Sequence, residues 1–276
     1  MLEALDGSTH MAEFATTNFS LKRLVDNSYK AIDHGVYETK QLSIHDTISL
    51  RKAITLCAHA PLITEIKFSS PSQGKIRRKT EPAKIAKTMV DSGAIGISVL
   101  TQPFLFDGSI EYLATIRKAL PMVPILMKDI TVSTVQIDAG KKVGADCVLL
   151  IKSIFDNNLA EDDMEKLLEY AKNRGLEVLV EVHTEEEFGD VLKAKYNLIG
   201  INNRNLDNLE VDITNTEKLL KRYNKGKSII ISESGISSPK DIQYLKSIGA
   251  DGFLVGTSIM QTPKIGAKIS ELYYAL

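Results

Sequence analysis

The feature of this chain that most limits its possible folds is a repeated pattern of short apolar runs that end in polar side chains. From Leu62 onward, runs rich in Ile, Leu and Val alternate with longer amphipathic segments at a repeat of roughly 25–30 residues. That alternation is typical of a parallel sheet whose strands are connected by helices. A charged side chain at the end of a buried strand is costly unless it is paired or used. The pattern therefore predicts a parallel α/β fold with one shared site where the strands end.

The alternating runs predict eight strand–helix pairs. Prolines 82 and 239 at first helical turns, and glycines 144 and 249 just past helix ends, are typical helix boundaries. Eight pairs with short connections predict a (β/α)8 TIM barrel, for which 276 residues are a suitable length. A doubly wound open sheet is the alternative, but it usually needs fewer repeats and leaves the polar strand ends unexplained. Strands are expected at 62–67, 94–100, 123–128, 145–151, 176–182, 197–202, 228–233 and 252–256, and helices at 82–91, 109–119, 133–143, 159–174, 184–195, 214–223, 238–248 and 263–275.

A single domain is predicted over residues 1–276, because no linker or low-complexity tract interrupts the chain. We expect residues 1–18 to be weakly ordered, residues 19–60 to form an N-terminal helical extension and residues 61–276 to form the barrel. Within the extension, Leu50, Ile54 and Cys57 recur at helical spacing. We expect the extension to pack across the barrel wall or one of its ends.

Composition and charge argue against several classes of function. A formal net charge of −1 gives no reason to expect a nucleic-acid partner, whose affinity would rest on clustered Lys and Arg. No apolar run approaches the roughly 20 residues that span a bilayer, and the N-terminus lacks the residue order of a signal peptide. Cys57 and Cys147 have no metal-ligand spacing and suit a reducing compartment. We therefore expect a cytoplasmic protein with no membrane partner, no metal and, because no nucleotide-binding glycine motif occurs, no nucleotide cofactor.

The predicted strand ends carry the residues of a candidate catalytic site. Catalytic residues of such barrels lie at the carboxyl ends of the strands. Glu65 and Lys67 are two residues apart on the first strand, so both side chains point to the same side. Paired lysines and carboxylates suit general acid–base catalysis without a metal, although any one of them can instead be a structural ion pair at the barrel rim. The other candidates are Lys128 on the third strand, Glu181 on the fifth, Asn202 on the sixth and Glu233 on the seventh.

Glycine and hydroxyl residues after the last two strands predict a phosphate site. Ser234-Gly235 and Gly256-Thr257 each lead from a strand into a turn, where barrels commonly bind phosphate through backbone N–H groups. Ser70, after the first strand, adds a possible donor. Each pair alone also fits a common turn. His183 lacks metal-ligand spacing; it is expected near the site, where a position at the rim is the alternative. The basic run 75–79 favours a solvated loop over a nucleic-acid surface, although it could steer an anionic substrate.

Several motifs, taken in chain order, resemble those of the indole-3-glycerol phosphate synthase family. The resemblance runs from about Leu62 to Met260, and the family also has a helical N-terminal extension. The motifs are Glu65-Ile66-Lys67, Ser70-Pro71, Lys128-Asp129, Gly144 to Ile151, Glu181-Val182-His183, Gly200 to Leu206, Ser232 to Ile236 and Leu254 to Ser258.

The resemblance implies a reaction that needs no cofactor. In this family 1-(2-carboxyphenylamino)-1-deoxyribulose 5-phosphate closes to indole-3-glycerol phosphate with loss of carbon dioxide and water, a step of tryptophan biosynthesis. The resemblance makes Lys128 the acid that acts on the substrate ketone as a ring carbon attacks it. Lys67 and Glu181 become the acid and base of the later dehydration. Glu65, Asn202 and Glu233 would hold the lysines and the substrate hydroxyls.

The resemblance also assigns the rest of the substrate. Phe106 matches an aromatic position that packs on the anthranilate ring, and the phosphate is expected to bind Ser70, Arg204, Ser234, Gly235, Gly256 and Thr257. The sequence departs from the family at Ile130, where Phe is usual, so the ring loses a stacking surface.

Two other functions stay open on the sequence. Phosphoribosylanthranilate isomerase is also a phosphate-binding barrel, but it typically uses a Cys and an Asp, and neither Cys57 nor Cys147 is predicted at a strand end. A non-catalytic paralogue that only binds a phosphorylated ligand would not need two lysines and a base. The sequence does not determine whether the chain associates with other enzymes of the tryptophan pathway.

Overall fold

Eight parallel strands form a closed barrel in the computed structural model, which describes residues 20–40, 45–206 and 208–276. Each strand pairs with its neighbours in the chain, and the last pairs with the first through Leu62 and Phe253. The barrel prediction is confirmed, whereas the predicted weakly ordered segment 1–18 lies outside the described residues. We number the barrel strands first to eighth: Leu62–Ile66, Gly96–Leu100, Ile125–Lys128, Cys147–Ile151, Glu177–Val182, Leu198–Asn202, Ile229–Glu233 and Gly252–Val255.

The eight predicted helices surround this barrel. Pro82 and Pro239 begin two of them, and Ser238 adds a capping box with Asp241. Gly144, which ends another, has a left-handed φ of 96°, as expected for a residue just past a helix. The helices are Pro82–Asp91, Ile110–Ala119, Thr134–Val143, Met164–Asn173, Glu185–Lys193, Thr214–Arg222, Pro239–Ser247 and Ile265–Tyr273.

Short elements that the periodicity did not predict follow some of the barrel strands. They are too short to show a repeat of their own, and they all lie in loops at the carboxyl ends of strands, where they shape the mouth of the barrel. They comprise the helices Pro103–Phe106, Lys152–Asp156 and Thr257–Gln261 and a hairpin of Ser69–Ser70 with Gly74–Lys75.

The N-terminal extension reaches both ends of the barrel, not only its wall or one end as expected. Its helices Leu21–Asp33 and Leu50–Leu56 cover only part of the span predicted to be helical, since residues 34–40 and 45–49 form turns or have no regular secondary structure. The first helix contacts the short helices after the second and fourth strands. The second places its buried residues Leu50 and Ile54 beside Gly96 and Gly252, where two strands begin.

A buried ion pair connects three elements at the amino ends of the strands. Arg117, on helix Ile110–Ala119, pairs with Asp146, and both side chains are almost fully buried. Asp146 also accepts hydrogen bonds from the backbone N–H groups of Ile125 and Ile48, at 2.8 Å each. The carboxylate therefore joins the third strand to the N-terminal extension. No helix in the described part of the chain is long and apolar enough to cross a membrane.

Candidate active site

A cavity of about 360 Å³ opens at the carboxyl ends of the strands. Because the strands are parallel, the polar residues that end them meet there, as predicted. Its wall includes all the catalytic and substrate-binding residues predicted from the sequence. They are Glu65, Lys67, Ser70, Phe106, Lys128, Glu181, Asn202, Arg204, Glu233, Ser234, Gly235, Gly256 and Thr257.

Lys128 lies between two carboxylates in this cavity. Its Nζ is 2.6 Å from Glu181 Oε2 and 3.2 Å from Glu233 Oε2. Burial by itself would lower the pKa of Lys128, but these carboxylates together with Glu65 raise it above its ordinary value. Lys128 is therefore a buried ammonium group at neutral pH, the form required of a proton donor.

The two partners of Lys128 have different protonation behaviour. Glu181 also accepts a hydrogen bond from Asn202 Nδ2 at 2.9 Å; burial tends to raise its pKa, but Lys128 and His183 hold it below the ordinary value. Burial raises the pKa of Glu233 to about 7, with repulsion from Glu181 adding to the effect. Glu233 Oε1 has no hydrogen-bond partner among the described residues. Glu181 is thus an ionised carboxylate suited to be a base, whereas Glu233 titrates near neutrality.

A second lysine–carboxylate pair lies at the end of the first strand. Lys67 Nζ is 2.6 Å from Glu65 Oε1, and both side chains are largely buried. The strand ends at Ile66, so Lys67 stands just past it on the side that faces the cavity. The predicted proximity of Glu65 and Lys67 is confirmed, while their chemical roles stay predictions.

The predicted phosphate residues line one part of the cavity. Gly256 precedes the short helix Thr257–Gln261, and a β-carbon at Gly256 would lie 2.7 Å from Glu65 Oε1. Ser234 has a left-handed φ of 66° and donates a hydrogen bond from Oγ to Asn202 Oδ1 at 2.8 Å. Ser234 therefore occupies a left-handed turn, and at Gly256 any side chain would crowd Glu65.

Arg204 is partly engaged in its own loop. One guanidinium nitrogen donates to the carbonyl of Leu209 at 2.8 Å, and the backbone N–H donates to Asn202 Oδ1 at 3.0 Å. Burial lowers the pKa of Arg204 from its ordinary value. Arg204 reaches the cavity, but part of its hydrogen-bonding capacity serves the loop.

Apolar side chains form another part of the cavity wall. Phe106 and Ile130 contribute to it together with Leu24 from the N-terminal extension. Ile130 is buried and belongs to the same apolar cluster as Leu24. An aromatic ring could therefore contact apolar surface here even though Phe is absent at position 130.

Two further sequence features lie near the cavity. His183 lies near the site as expected: its largely buried ring has Nε2 3.3 Å from Glu181 Oε1 and also lines a second, polar cavity. The basic run 75–79 is mostly exposed, as expected of a solvated loop, and Arg77 within it donates to the carbonyls of Met260 and Thr262 at 2.9 and 2.8 Å.

Asp129 was not predicted to have a role, but its carboxylate anchors the loop that follows Lys128. Its carboxylate accepts hydrogen bonds from Tyr37 Oη at 2.8 Å, from the Thr101 hydroxyl and from the Ile130 backbone N–H at 2.8 Å. Burial raises the pKa of Asp129 to about 6. Tyr37 belongs to the N-terminal extension, so this network connects the extension to the third strand beside Lys128.

The fold and this site define an enzyme of the (β/α)8-barrel class, with buried lysine–carboxylate pairs at the carboxyl ends of its strands. A family model described as indole-3-glycerol phosphate synthase matches residues 22–272. The chain belongs to the indole-3-glycerol phosphate synthase family, and the predicted resemblance is confirmed.

Similar proteins from several organisms carry this family's name. The chain is 38% identical over 246 residues to that of Acetivibrio thermocellus, covering 89% of this chain and 92% of the relative. It is 40% identical over 242 residues to that of Methanocaldococcus jannaschii, covering 87% and 86%. The relative from Caldanaerobacter subterraneus subsp. tengcongensis is 44% identical over 200 residues, covering 72% and 75%.

Among solved structures, thiamine phosphate pyrophosphorylase from Pyrococcus furiosus has a TM-score of 0.57 at 16% identity, covering 82% of this chain and 97% of that one. The N-acetylmannosamine-6-phosphate 2-epimerase from Clostridium perfringens has a TM-score of 0.56 at 15% identity, covering 79% and 93%. At these identities the likeness concerns the fold alone.

Proposed function

We propose that this chain converts 1-(2-carboxyphenylamino)-1-deoxyribulose 5-phosphate into indole-3-glycerol phosphate, with Lys128 as the acid of ring closure. Lys128 is assigned as the acid because its Nζ lies between two carboxylates, 2.6 Å from Glu181 Oε2 and 3.2 Å from Glu233 Oε2. Family membership supports the reaction itself.

The first half of the reaction forms a carbon–carbon bond. The ring carbon that bears the carboxylate attacks the substrate ketone, and negative charge develops on the ketone oxygen. The Lys128 ammonium group donates a proton to that oxygen. Loss of carbon dioxide then breaks the bond to the carboxylate and restores the aromatic ring. A cation fixed between carboxylates suits this step, because it is already oriented when the charge appears.

The second half removes water. The new hydroxyl leaves with a proton from Lys67, which Glu65 holds at 2.6 Å. A proton is then lost from the carbon next to the ring nitrogen, and the ionised Glu181 accepts it. Glu181 is a reasonable base because Asn202 and Lys128 fix both of its oxygens.

The two ends of the substrate would bind opposite kinds of surface. We assign the phosphate to Ser70, Arg204 and the glycine motifs at Ser234-Gly235 and Gly256-Thr257, all of which line the cavity. The anthranilate ring would contact Phe106 and Ile130. A cytoplasmic location is part of the proposal and rests on the family and on two cysteines that form no disulfide.

The test is the appearance of indole fluorescence when the purified protein meets the carboxyphenylamino substrate without added metal or nucleotide. We expect Lys128→Met to abolish the signal and Lys118→Met, at an exposed position on an outer helix, to retain it. A silent wild-type protein that still binds the substrate would favour a non-catalytic paralogue. Equal signals from both variants would refute the role of Lys128.

A further inference from the structure

His183 is a buried side chain to which the proposed mechanism gives no role. It follows the fifth strand two residues after Glu181, so both side chains leave the backbone on the same side. Its side chain is 12% exposed, with Nε2 3.3 Å from Glu181 Oε1 and Nδ1 3.7 Å from Glu187 Oε2. Neither ring nitrogen makes a well-aligned hydrogen bond within the described chain, so the ring interacts with the two carboxylates mainly through charge.

Glu187 fixes the far side of the imidazole. It is the third residue of helix Glu185–Lys193, and its carboxylate accepts the backbone N–H groups of His183 at 2.6 Å and Thr184 at 3.4 Å. This capping box is an arrangement that holds a Glu side chain at a helix start. Burial tends to raise the pKa of Glu187, but His183 and these N–H groups hold it below its ordinary value. An ionised carboxylate therefore stands behind the ring.

Glu181 consequently lies between two cationic groups. Its Oε2 accepts a hydrogen bond from Lys128 at 2.6 Å, while its Oε1 faces Asn202 Nδ2 at 2.9 Å and the imidazole of His183. Without His183 the partner of Oε1 would be the neutral amide of Asn202, because Lys128 binds the other oxygen. The imidazole supplies positive charge on that side.

We propose that His183 is a positioning residue, whose imidazolium fixes the orientation of Glu181 and keeps it ionised as the base. This inference rests on the proposed function, in which Glu181 accepts the proton. Burial by itself would lower the pKa of His183, but Glu181 and Glu187 raise it to about 9. The ring is therefore charged at neutral pH and stabilises the ionised form of Glu181.

Other charged groups near His183 come from elements around a polar cavity beside the active site. Two of them have ion-pair partners of their own, since Lys22 contacts Asp26 and Asp212 contacts Lys218, both at 2.8 Å. Glu181 and Glu187 remain the carboxylates within 4 Å of the imidazole. The charged residues that line the polar cavity with His183 and Glu187 are Lys22, Arg204, Glu210 and Asp212.

The first test compares His183→Gln with His59→Gln, which makes the same change at the other end of the barrel, where His59 contacts the Leu276 carbonyl. Groups that orient metal ligands are worth roughly ten- to a hundredfold in activity, and we expect a similar range for a group that orients a base. We expect kcat of His183→Gln to fall within that range while KM stays within about twofold, because the substrate itself is not contacted. The acidic limb of its kcat profile should move to higher pH, since Glu181 loses a stabilising cation. His59→Gln should match the wild type.

The second test uses Glu187→Gln, which keeps a side chain able to cap the helix but removes the charge behind the imidazole. The pKa of His183 should fall, so the imidazole loses its charge at alkaline pH. We expect the kcat of Glu187→Gln to match the wild type near pH 6 and to approach that of His183→Gln near pH 8.5. NMR of isotope-labelled histidine should show the His183 midpoint moving down in this variant.

The outcomes separate this inference from the proposed function. A wild-type protein without turnover refutes the proposed function, while the NMR titration still decides whether His183 is charged at neutral pH. An active wild type with an unchanged pH profile in His183→Gln overturns the inference alone. The inference is also overturned if kcat of His183→Gln falls only because the variant is less stable. That outcome would show a lower melting temperature and no shift of the acidic limb.

Discussion

A methyl group placed at Gly200 should test whether the position of Glu233 matters. Gly200 lies on the sixth strand, and a β-carbon there would lie 2.1 Å from Glu233 Oε1 and 3.2 Å from its Cδ. Glu233 is 2% exposed, so the displaced carboxylate has little free space. It must retreat by roughly 1 Å to restore a normal non-bonded contact. That shift would disturb its 3.2 Å contact with Lys128.

The expected result is a large effect on catalysis and a smaller one on stability. A misplacement of about 1 Å near reacting groups can lower the rate on the order of a hundredfold. Overpacking a buried site costs about 1–3 kcal/mol. We expect kcat of Gly200→Ala to fall on the order of a hundredfold, measured by indole fluorescence, while urea denaturation shows a free energy of unfolding lower by no more than about 3 kcal/mol.

Gly252→Ala is the matched control. Gly252 is on the eighth strand, and its added β-carbon would meet its nearest neighbours at an ordinary 3.6 Å. We expect this variant to keep its activity. If Gly200→Ala keeps the wild-type kcat, the position of Glu233 does not matter for catalysis. If Gly252→Ala loses as much activity, the effect comes from replacing a strand glycine and not from Glu233.

Three further variants test the buried polar network. Tyr37→Phe removes a 2.8 Å hydrogen bond to ionisable Asp129 and should lower the free energy of unfolding by about 1.5–3 kcal/mol in urea titrations. Arg117→Met leaves Asp146 buried without its cation and should cost about 3–5 kcal/mol by the same measurement; a neutral effect would contradict the pairing. The Glu233 carboxyl has a pKa of about 7 in the fold against an ordinary 4.5, so the folded state keeps a proton that the unfolded state loses between these values. Wild-type stability attributable to this group should therefore fall as pH rises across that window, and Glu233→Gln should flatten the profile of urea midpoints.

The barrel, and which residues line its site, were largely predictable from the sequence. The spacing of the apolar runs and the glycines and prolines at helix boundaries predict strands such as Ile125–Lys128 to within two or three residues. A buried strand needs a continuous apolar run, and a helix end favours glycine. Parallel strands then bring their carboxyl ends together, so Lys128 and Glu181 meet without any knowledge of loop structure.

The pairings that tune this site were not predictable in the same way. Tyr37 and Asp129 are 92 residues apart, and no local pattern indicates which buried carboxylate a distant hydroxyl will reach. His183 was expected near the site, but its contacts with Glu181 and Glu187 were not predicted, although Thr184 and Glu187 form a recognisable capping box beside it. The extension was predicted as helical throughout, but packing at both ends of the barrel requires the turns and extended segments between its helices.

In the proposed mechanism Lys128 donates a proton rather than merely supplying positive charge. Single-turnover fluorescence of Lys128→Arg tests it, because arginine keeps the cation between Glu181 and Glu233 but holds its proton too tightly to act as an acid. We expect the variant to fold and to bind indole-3-glycerol phosphate in calorimetry, with ring closure slowed by about 10²–10⁴-fold. Ring closure within about tenfold of the wild type would show that Lys128 need not donate a proton, because electrostatic stabilisation without proton transfer would then be sufficient.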